Sequence, residues 1–162
     1  QDIVLEATQD EIVLPRIEYD YNSAKLRKES KDALDALILV LKKNPNVVIQ
    51  LRSHTDSRAG DEFNLELSQR RAQICVDYMV DKGIKPKRLV AKGMGETDPF
   101  VMDVKDGKLR PGAVLSADFI ENKLKRNKDK EKAHQYNRRT DFLVVSNAFY
   151  DVEKDEILVK KK

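Results

Sequence analysis

The chain has 162 residues; 36% are charged and 40% are hydrophobic, and 31 basic against 28 acidic side chains give a net charge of +3. This length fits one domain with additions, and it can bury a core without disulfides or metals. The near balance of charge gives no general case for nucleic-acid binding. The longest apolar run, residues 36–41, is far shorter than the roughly 20 residues that cross a bilayer.

The cysteine content of the chain and its first residue also limit which kinds of protein it can be. The single Cys75 excludes an internal disulfide and a cysteine-rich zinc site. The chain begins at Gln1, without Met or a signal peptide. We therefore expect a processed chain or an excised domain.

The first predicted elements are a strand, a helix and a second strand. Alternating apolar residues over 13–21 predict a strand that leads into a loop at 22–23. The next apolar residues have the spacing of one helix face: Leu34, Leu37, Ile38 and Leu41. This helix ends at Asn44-Pro45. Alternation over residues 47–53 then predicts a half-buried strand.

The rest of the chain predicts a second helix and two strands. The helix covers about residues 64–82 and ends at Gly83, a favourable C-terminal cap. A short strand at 88–92 leaves the sheet at 93–95, and the last strand, 140–146, is too apolar to be an exposed edge. The order β-α-β-α-β-β predicts an α+β fold. Its small mixed sheet would have a right-handed parallel crossover and helices on one face.

A long insertion, about residues 97–136, separates the last two strands. Its first half predicts a small hairpin around Asp106-Gly107. Its second half, from Ser116, predicts a highly charged helix with few apolar anchors. Residues 121–139 contain eight Lys or Arg against three Asp or Glu, which favours a solvated helix face. We therefore expect that a short linker could replace residues 101–132 without loss of folding or of ligand binding.

An arginine in the second helix is the first candidate for a functional site. Core-type residues share its stripe: Leu67, Ile74 and Tyr78. An unpaired guanidinium on such a stripe is costly, so Arg71 needs solvent or a partner. Asp56 follows the second strand, at the sheet edge where α/β folds gather ligands.

These two opposite charges would suit a zwitterion. Asp56 would bind its ammonium group, and Arg71 would bind its carboxylate in bidentate fashion. Two structural alternatives stay open. Arg71 could form an internal salt bridge with Asp56 or Asp61, and Asp56 could simply brace its loop through backbone amides.

Chemistry that needs a metal or a nucleophile has little support. His54 and Asp56 would share a face and could both bind a metal, but the only other histidine, His134, lies in the insertion. The segment 93–95 lacks the third glycine of a phosphate loop, and no serine has an elbow sequence or a His–Asp relay. Cys75 in mid-helix is more typical of a small buried residue than of a nucleophile. A hydrolase is therefore disfavoured, and we expect no enzyme activity, no metal and no cofactor.

The order of these residues resembles the signature of the OmpA-like C-terminal domain. This is the peptidoglycan-binding module also found in Pal lipoproteins and flagellar motor stator proteins. The matching residues are Tyr19-Asp20-Tyr21, His54-Thr55-Asp56, Gly60, Asn64, Leu67-Ser68, Arg71-Ala72, Tyr78, Arg88-Leu89, Gly93-x-Gly95-Glu96 and Asn137-Arg138-Arg139. The resemblance covers about residues 12–146. It implies a β-α-β-α-β-β sandwich with two helices on one face.

The resemblance also implies a ligand. The family binds the diaminopimelate residue of the peptidoglycan stem peptide without covalent chemistry. Asp56 and Arg71 match its two central ligand-binding residues. Further contacts implied by the match are Asn64, Tyr21, Asn22 and Arg138. Two departures from the family stand out: Ser53 replaces the usual glycine, and the 97–136 connection is unusually long.

The resemblance implies a cellular setting as well. A peptidoglycan-binding domain at 1–150, followed by a charged tail at 151–162, would anchor a larger envelope protein to the cell wall. It would be periplasmic and attached to the outer membrane through its parent protein, with no nucleic acid bound and no membrane insertion of this segment. Its partners would be the stem peptide, other domains of the same chain and envelope-complex proteins. Long versions of the module occur in envelope proteins that include some linked to type IX secretion.

A second hypothesis belongs to a different class. The chain would be a structural or assembly domain of an envelope or secretion complex. Asp56 and Arg71 would form an internal salt bridge, and the insertion would bind a protein partner. The two hypotheses differ in whether Asp56 and Arg71 contact each other or an external ligand.

Overall fold

A single mixed sheet organises the fold, as seen in a computed structural model that describes residues 11–19 and 23–151. Its strands are β1 (Glu11–Glu18), β2 (Val48–His54), β3 (Leu89–Gly95) and β4 (Arg139–Ser146). They are arranged in the order β1-β4-β2-β3. β2 pairs in parallel with β3, and β4 pairs antiparallel with both β1 and β2. The predicted mixed sheet is confirmed, and the apolar last strand is central. Most of the predicted charged tail, residues 152–162, lies outside the described residues.

Two helices cover one face of this sheet. They are α1 (Lys28–Lys43) and α2 (Asp61–Asp81). α1 buries the four predicted apolar residues in a core shared with alternate residues of the strands, and it ends at Asn44 as predicted. After α2, Gly83 adopts a φ of +101°, a left-handed conformation that favours glycine at a helix end. No helix in the described ranges is long and apolar enough to span a membrane.

The buried face of α2 is shifted from the predicted stripe. Leu67 and Arg71 are buried, but Ile74 and Tyr78 are only partly buried. The centre of the buried face consists of small or flexible residues: Ser68, Ala72, Cys75 and Met79. The prediction favoured the larger apolar side chains, whereas close packing against the sheet selects small ones.

A glycine in β3 allows this close approach. A Cβ added to Gly93 would meet the backbone of Gln69 and lie 2.6 Å from the Ser68 Oγ. The Gly93 N–H donates to the Gln69 Oε1, and the Gly95 N–H donates to the Ser68 Oγ, each at 2.8 Å. The prediction that the chain leaves the sheet at Gly93 is wrong, because β3 stays paired with β2 as far as Gly95.

The insertion has a hydrophobic core of its own. It contains two helices, α3 (Ala117–Lys123) and α4 (Asn127–Asn137), instead of the single predicted helix. Their core is made of buried apolar residues: Met102, Leu109, Leu115, Ile120, Leu124, Ala133 and Tyr136. The prediction of few apolar anchors is therefore wrong, although most of the charged run is solvated as expected: Lys123, Lys125, Arg126 and Lys128 are exposed. The core residues occur singly between charged ones, so only the tertiary fold brings them together.

The predicted hairpin in the insertion is only partly formed. Asp106 and Leu109 exchange backbone hydrogen bonds around the expected turn at Asp106-Gly107. Beyond this turn, pairing is limited to an isolated bridge between Val101 and Val114. The segment is thus a turn packed on the insertion core, without an extended two-stranded ribbon.

We predict that Gly93→Ala destabilises the domain by about 1–3 kcal/mol, the usual cost of overpacking. The added methyl group would push α2 away from β3. Gly60→Ala is the matched control, because an added Cβ there meets nothing within 4 Å and Gly60 has an ordinary φ of −67°. Urea unfolding of both variants checks the prediction. Equal losses in the two variants would contradict it.

Candidate functional site

A cavity of about 220 Å³ opens where β2 ends and α2 begins. It is lined by Thr55, Asp56, Ala59, Phe63, Asn64, Leu67, Arg71 and Arg138. Four of the six predicted site residues are in this lining. The other two, Tyr21 and Asn22, lie outside the described residues. Residues from widely separated parts of the sequence therefore meet at one cavity.

The fold explains how these side chains meet. Asp56 lies two residues beyond β2, in the loop that precedes α2. Asn64 is in the first turn of α2, and Arg71 is two turns further along the same helix. Arg138 lies between α4 and the central strand β4. The site thus occupies one edge of the sheet, where the carboxyl end of β2 faces the start of the helix.

Asp56 is an ionised and firmly oriented carboxylate. Its Oδ2 accepts hydrogen bonds from the Arg58 Nη2 and the Arg138 Nη1, both at 2.8 Å. Its Oδ1 accepts the backbone N–H of Arg58 at 3.1 Å. Burial by itself would raise the pKa of Asp56, but hydrogen bonds from Arg58 and Arg138 outweigh burial and lower this pKa to about 2.

Arg71 is a buried cation held by backbone carbonyls. Its Nε donates to the Ser23 oxygen at 2.8 Å, and its Nη1 donates to the His54 oxygen at 3.4 Å. Its guanidinium carbon lies 4.6 Å from the centre of the Tyr19 ring, a cation–π arrangement. Burial lowers the pKa of Arg71 to about 10, so the group stays charged at neutral pH.

The internal salt bridge that the alternative hypothesis needs is not formed. Among the described residues, the ion pairs of Asp56 are with Arg58 and Arg138, and no ion pair joins it to Arg71. Asp56 does brace its own loop, through the amide of Arg58. Both charges nevertheless line the same cavity. A carboxylate and a guanidinium, each held by its own protein partners, therefore lie in the wall of one small cavity.

Arg138 has the geometry of a bracing residue. Its Nε donates to the Tyr19 carbonyl at 3.2 Å, and its Nη2 donates to Glu131 at 3.0 Å and to Gln135 at 2.6 Å. Together with its bond to Asp56, these contacts join the end of β1, the loop after β2 and α4. A direct contact between Arg138 and a ligand stays a prediction.

Sequence reasoning missed two charged residues next to Asp56. Arg58 pairs with Asp56, and Glu131 of the insertion pairs with both Arg58 and Arg138. Arg58 could have been identified from the sequence, because it lies only two residues after the candidate aspartate. Nothing in the sequence indicated Glu131, because its position depends on how the insertion folds back onto the domain.

His54 is directed away from the cavity. Its Nε2 lies 3.0 Å from the Asp141 Oδ2 on β4, and both side chains are buried. Because β2 ends at His54, Thr55 and Asp56 are not part of the strand. The prediction that the side chains of His54 and Asp56 share one face is therefore wrong. Within the described part of the chain, no group of three potential metal ligands is found.

Ser53 and Cys75 belong to a buried chain of hydrogen bonds beneath the site. The Ser53 Oγ lies 2.6 Å from the Thr140 Oγ1, which is 2.9 Å from the Tyr19 hydroxyl. That hydroxyl lies 3.1 Å from the Cys75 Sγ. Burial raises the pKa of Cys75 to about 11, which confirms the interpretation of Cys75 as a buried structural residue.

Fold and site together define a class: an α+β domain with two helices on one face of a mixed sheet and a charged cavity beyond β2. Residues 18–109, more than half of the chain, match the family model of the OmpA family. The chain belongs to this family.

Outer membrane protein A of Klebsiella aerogenes is 39% identical over 101 residues, which cover 60% of this chain and 28% of that protein. Outer membrane protein A of Escherichia fergusonii is 36% identical over 101 residues, covering 60% and 41%. The chain thus spans less than half the length of these relatives.

Solved structures show the same fold. The peptidoglycan-associated lipoprotein from Burkholderia pseudomallei has a TM-score of 0.59 at 19% identity, covering 80% of this chain and 88% of its own. The C-terminal domain of Helicobacter pylori MotB also has a TM-score of 0.59, at 15% identity, covering 91% and 93%. The cell wall anchor of the T6SS from Pseudomonas aeruginosa has a TM-score of 0.53 at 21% identity, covering 80% and 75%.

These comparisons confirm three predictions made from the sequence. The chain has the expected OmpA-like fold, and it belongs to the expected family. The OmpA family is a family of non-enzymatic envelope domains, so the chain is not an enzyme.

We predict that the contribution of Asp56 to stability depends on pH in a defined direction. Its folded pKa, about 2, is below the value of an unfolded aspartate, so its ion pairs stabilise the fold fully above about pH 4. This stabilisation is lost as the pH falls towards about 2. The difference in unfolding free energy between wild type and Asp56→Asn should therefore shrink over this range. A constant difference, measured by urea titration, would contradict the assigned ion pairs.

Proposed function

We propose that this domain binds peptidoglycan without covalent chemistry, through the diaminopimelate residue of the stem peptide. The observation that carries the proposal is the pair of opposite charges, Asp56 and Arg71, in the lining of one cavity. The free end of diaminopimelate has an ammonium and a carboxylate group on the same carbon. Asp56 binds the ammonium group, and the guanidinium of Arg71 binds the carboxylate.

The cavity is prepared for such a ligand before the ligand arrives. Carbonyl hydrogen bonds and the Tyr19 ring hold Arg71, and the Arg58 amide and the Arg138 side chain hold Asp56. Ligand binding therefore orders few additional rotamers, which limits the entropic cost of association. The Asn64 side chain donates to the Ala59 carbonyl at 3.0 Å and lies in the cavity lining, at the start of α2.

The biological role that follows is attachment to the cell wall. Similar folds belong to a peptidoglycan-associated lipoprotein and to a cell wall anchor, which supports this role. In the proposal, residues 1–150 form the binding domain of a larger envelope protein in the periplasm, attached to the outer membrane through that protein. Its partners are the stem peptide, other domains of the same chain and envelope-complex proteins. A link to type IX secretion stays a prediction from the sequence resemblance.

A second candidate function is an assembly role for the insertion. A cavity of about 560 Å³ lies on its surface, with an apolar floor that includes Phe119 and Leu124. Its charged lining contains five basic side chains and one carboxylate, Asp129, which pairs with Arg126: the basic residues are Lys108, Arg110, Lys123, Lys125 and Arg126. Charge complementarity would favour an acidic protein segment there. This role is compatible with wall binding, because the cavity is separate from the one that contains Asp56.

We predict that Asp56→Asn and Arg71→Lys each weaken binding of a diaminopimelate-containing stem peptide by about tenfold or more, as expected for charge-assisted hydrogen bonds. Both variants preserve the approximate size of the side chain. Asp77→Asn, on an exposed turn of α2, is the control and should bind normally. Isothermal titration with the free peptide and co-sedimentation with sacculi both measure the effect.

A matched ligand sharpens this experiment. A stem peptide with lysine in place of diaminopimelate keeps the ammonium group but lacks the carboxylate at that end. Its affinity for the wild type should therefore be low, and Arg71→Lys should reduce it no further. Equal binding of the two peptides would contradict the role of Arg71, and binding unaffected by Asp56→Asn would contradict the role of Asp56.

A further inference from the structure

Four charged side chains form a closed ring, of which Asp56 and Arg138 also line the cavity: Asp56, Arg58, Glu131 and Arg138. Arg58 donates to the Asp56 Oδ2 through its Nη2 and to the Glu131 Oε2 through its Nη1, each at 2.8 Å. Arg138 closes the ring with a bond of 2.8 Å to the Asp56 Oδ2 and one of 3.0 Å to the Glu131 Oε1. The insertion therefore contributes one of the two carboxylates of the ring.

The two arginines of the ring differ in their exposure to solvent. The Arg138 side chain is 4% exposed and also donates to the Tyr19 carbonyl and to Gln135. The Arg58 side chain is 32% exposed, and its partner Glu131 is 53% exposed. Arg58 is thus the more exposed of the two arginines, whereas Arg138 is enclosed by the core of the site.

A ligand ammonium group would share a carboxylate that already accepts three donors. The Asp56 Oδ2 accepts two guanidinium donors, and the Oδ1 accepts a backbone N–H. Of these three donors, the Arg58 side chain is the most readily displaced. An incoming ammonium group also adds positive charge close to Arg58, Arg71 and Arg138. The ring has two negative charges, Asp56 and Glu131, and that of Glu131 helps to offset the added positive charge.

We propose that Arg58 is an internal competitor for Asp56, and that Glu131 of the inserted helix α4 retains Arg58 when the ligand ammonium displaces it. This inference rests on the proposed function, because it concerns the same ammonium group. The Arg58 Nη1 stays on Glu131 while its Nη2 leaves Asp56, so the displaced cation keeps a partner. Glu131 is therefore a positioning residue for ligand binding, although it does not touch the ligand.

Glu131 stays charged over the relevant pH range. Burial by itself would raise its pKa, but the hydrogen bond from Arg138 and the charge of Arg58 outweigh burial and lower it. The expectation that residues 101–132 can be replaced without loss of peptide binding changes as a result. Such a replacement removes Glu131, and it also removes most of the insertion core.

The test compares four proteins: wild type, Arg58→Gln, Glu131→Gln and the double variant. Titration with the diaminopimelate-containing peptide should show about two- to fivefold tighter binding for Arg58→Gln, because the competitor is gone, and a similar loss for Glu131→Gln. In the Arg58→Gln background, Glu131→Gln should have little further effect, because Glu131 acts through Arg58. Glu121→Gln, which removes an exposed carboxylate paired with Lys130, is the control.

Several results would overturn the inference. Weaker or unchanged binding by Arg58→Gln would exclude the competitor role, and an equal effect of Glu131→Gln in both backgrounds would show that Glu131 acts through its own charge or through Arg138, and not through Arg58. General electrostatics could also tighten binding in Arg58→Gln, but it would leave the effect of Glu131→Gln unchanged in that background, whereas the competitor role removes this effect. If the wild type fails to bind the peptide, the proposed function fails and the inference falls with it; if the wild type binds and only the variant pattern fails, the proposed function stands.

Discussion

The buried ion pair between Asp56 and Arg138 is the constraint on which the site depends. These residues are 82 positions apart, and each side chain is at most 5% exposed. Burying two charges is costly unless their remaining hydrogen-bonding groups are satisfied. Arg138 meets this condition through Tyr19, Glu131 and Gln135. One side chain therefore joins the end of β1, the loop after β2 and the inserted helix, and it sets the direction of the Asp56 carboxylate.

Sequence periodicity predicted the sheet and its two main helices because these elements have long and regular patterns. The apolar β4 was correctly placed inside the sheet, and Gly83 correctly marked the end of α2. The buried face of α2 was misjudged because periodicity gives weight to large apolar side chains, whereas the buried positions include small residues, and one of these, Ser68, lies against Gly93. The insertion core was missed because its members are isolated along the chain and become neighbours only after folding.

The site was predictable only where its residues lie close to regular elements. The position of Asp56 after a strand and the place of Arg71 on an apolar stripe both indicated a charged cavity, and the family resemblance added Asn64 and Arg138. All four line the cavity. The contact of Arg58 with Asp56 is local, but its contact with Glu131 joins residues 73 positions apart and depends on a distance across the fold. A local pattern contains no information about such distances, and the insertion has no fixed counterpart in the family signature.

The separation of Asp56 from Arg71 is what makes the cavity suitable for a zwitterion. If the two charges paired directly, their hydrogen-bonding groups would be used on each other and would not be directed at a ligand. Instead, Arg71 donates hydrogen bonds to the carbonyl groups of Ser23 and His54. Asp56 is held by guanidinium groups on the side of the insertion. The fold thus holds the two opposite charges by different groups of the protein. Because the low dielectric constant of a partly enclosed site strengthens electrostatic interactions, each charge interacts more strongly with its counterpart on a zwitterionic ligand than it would in water.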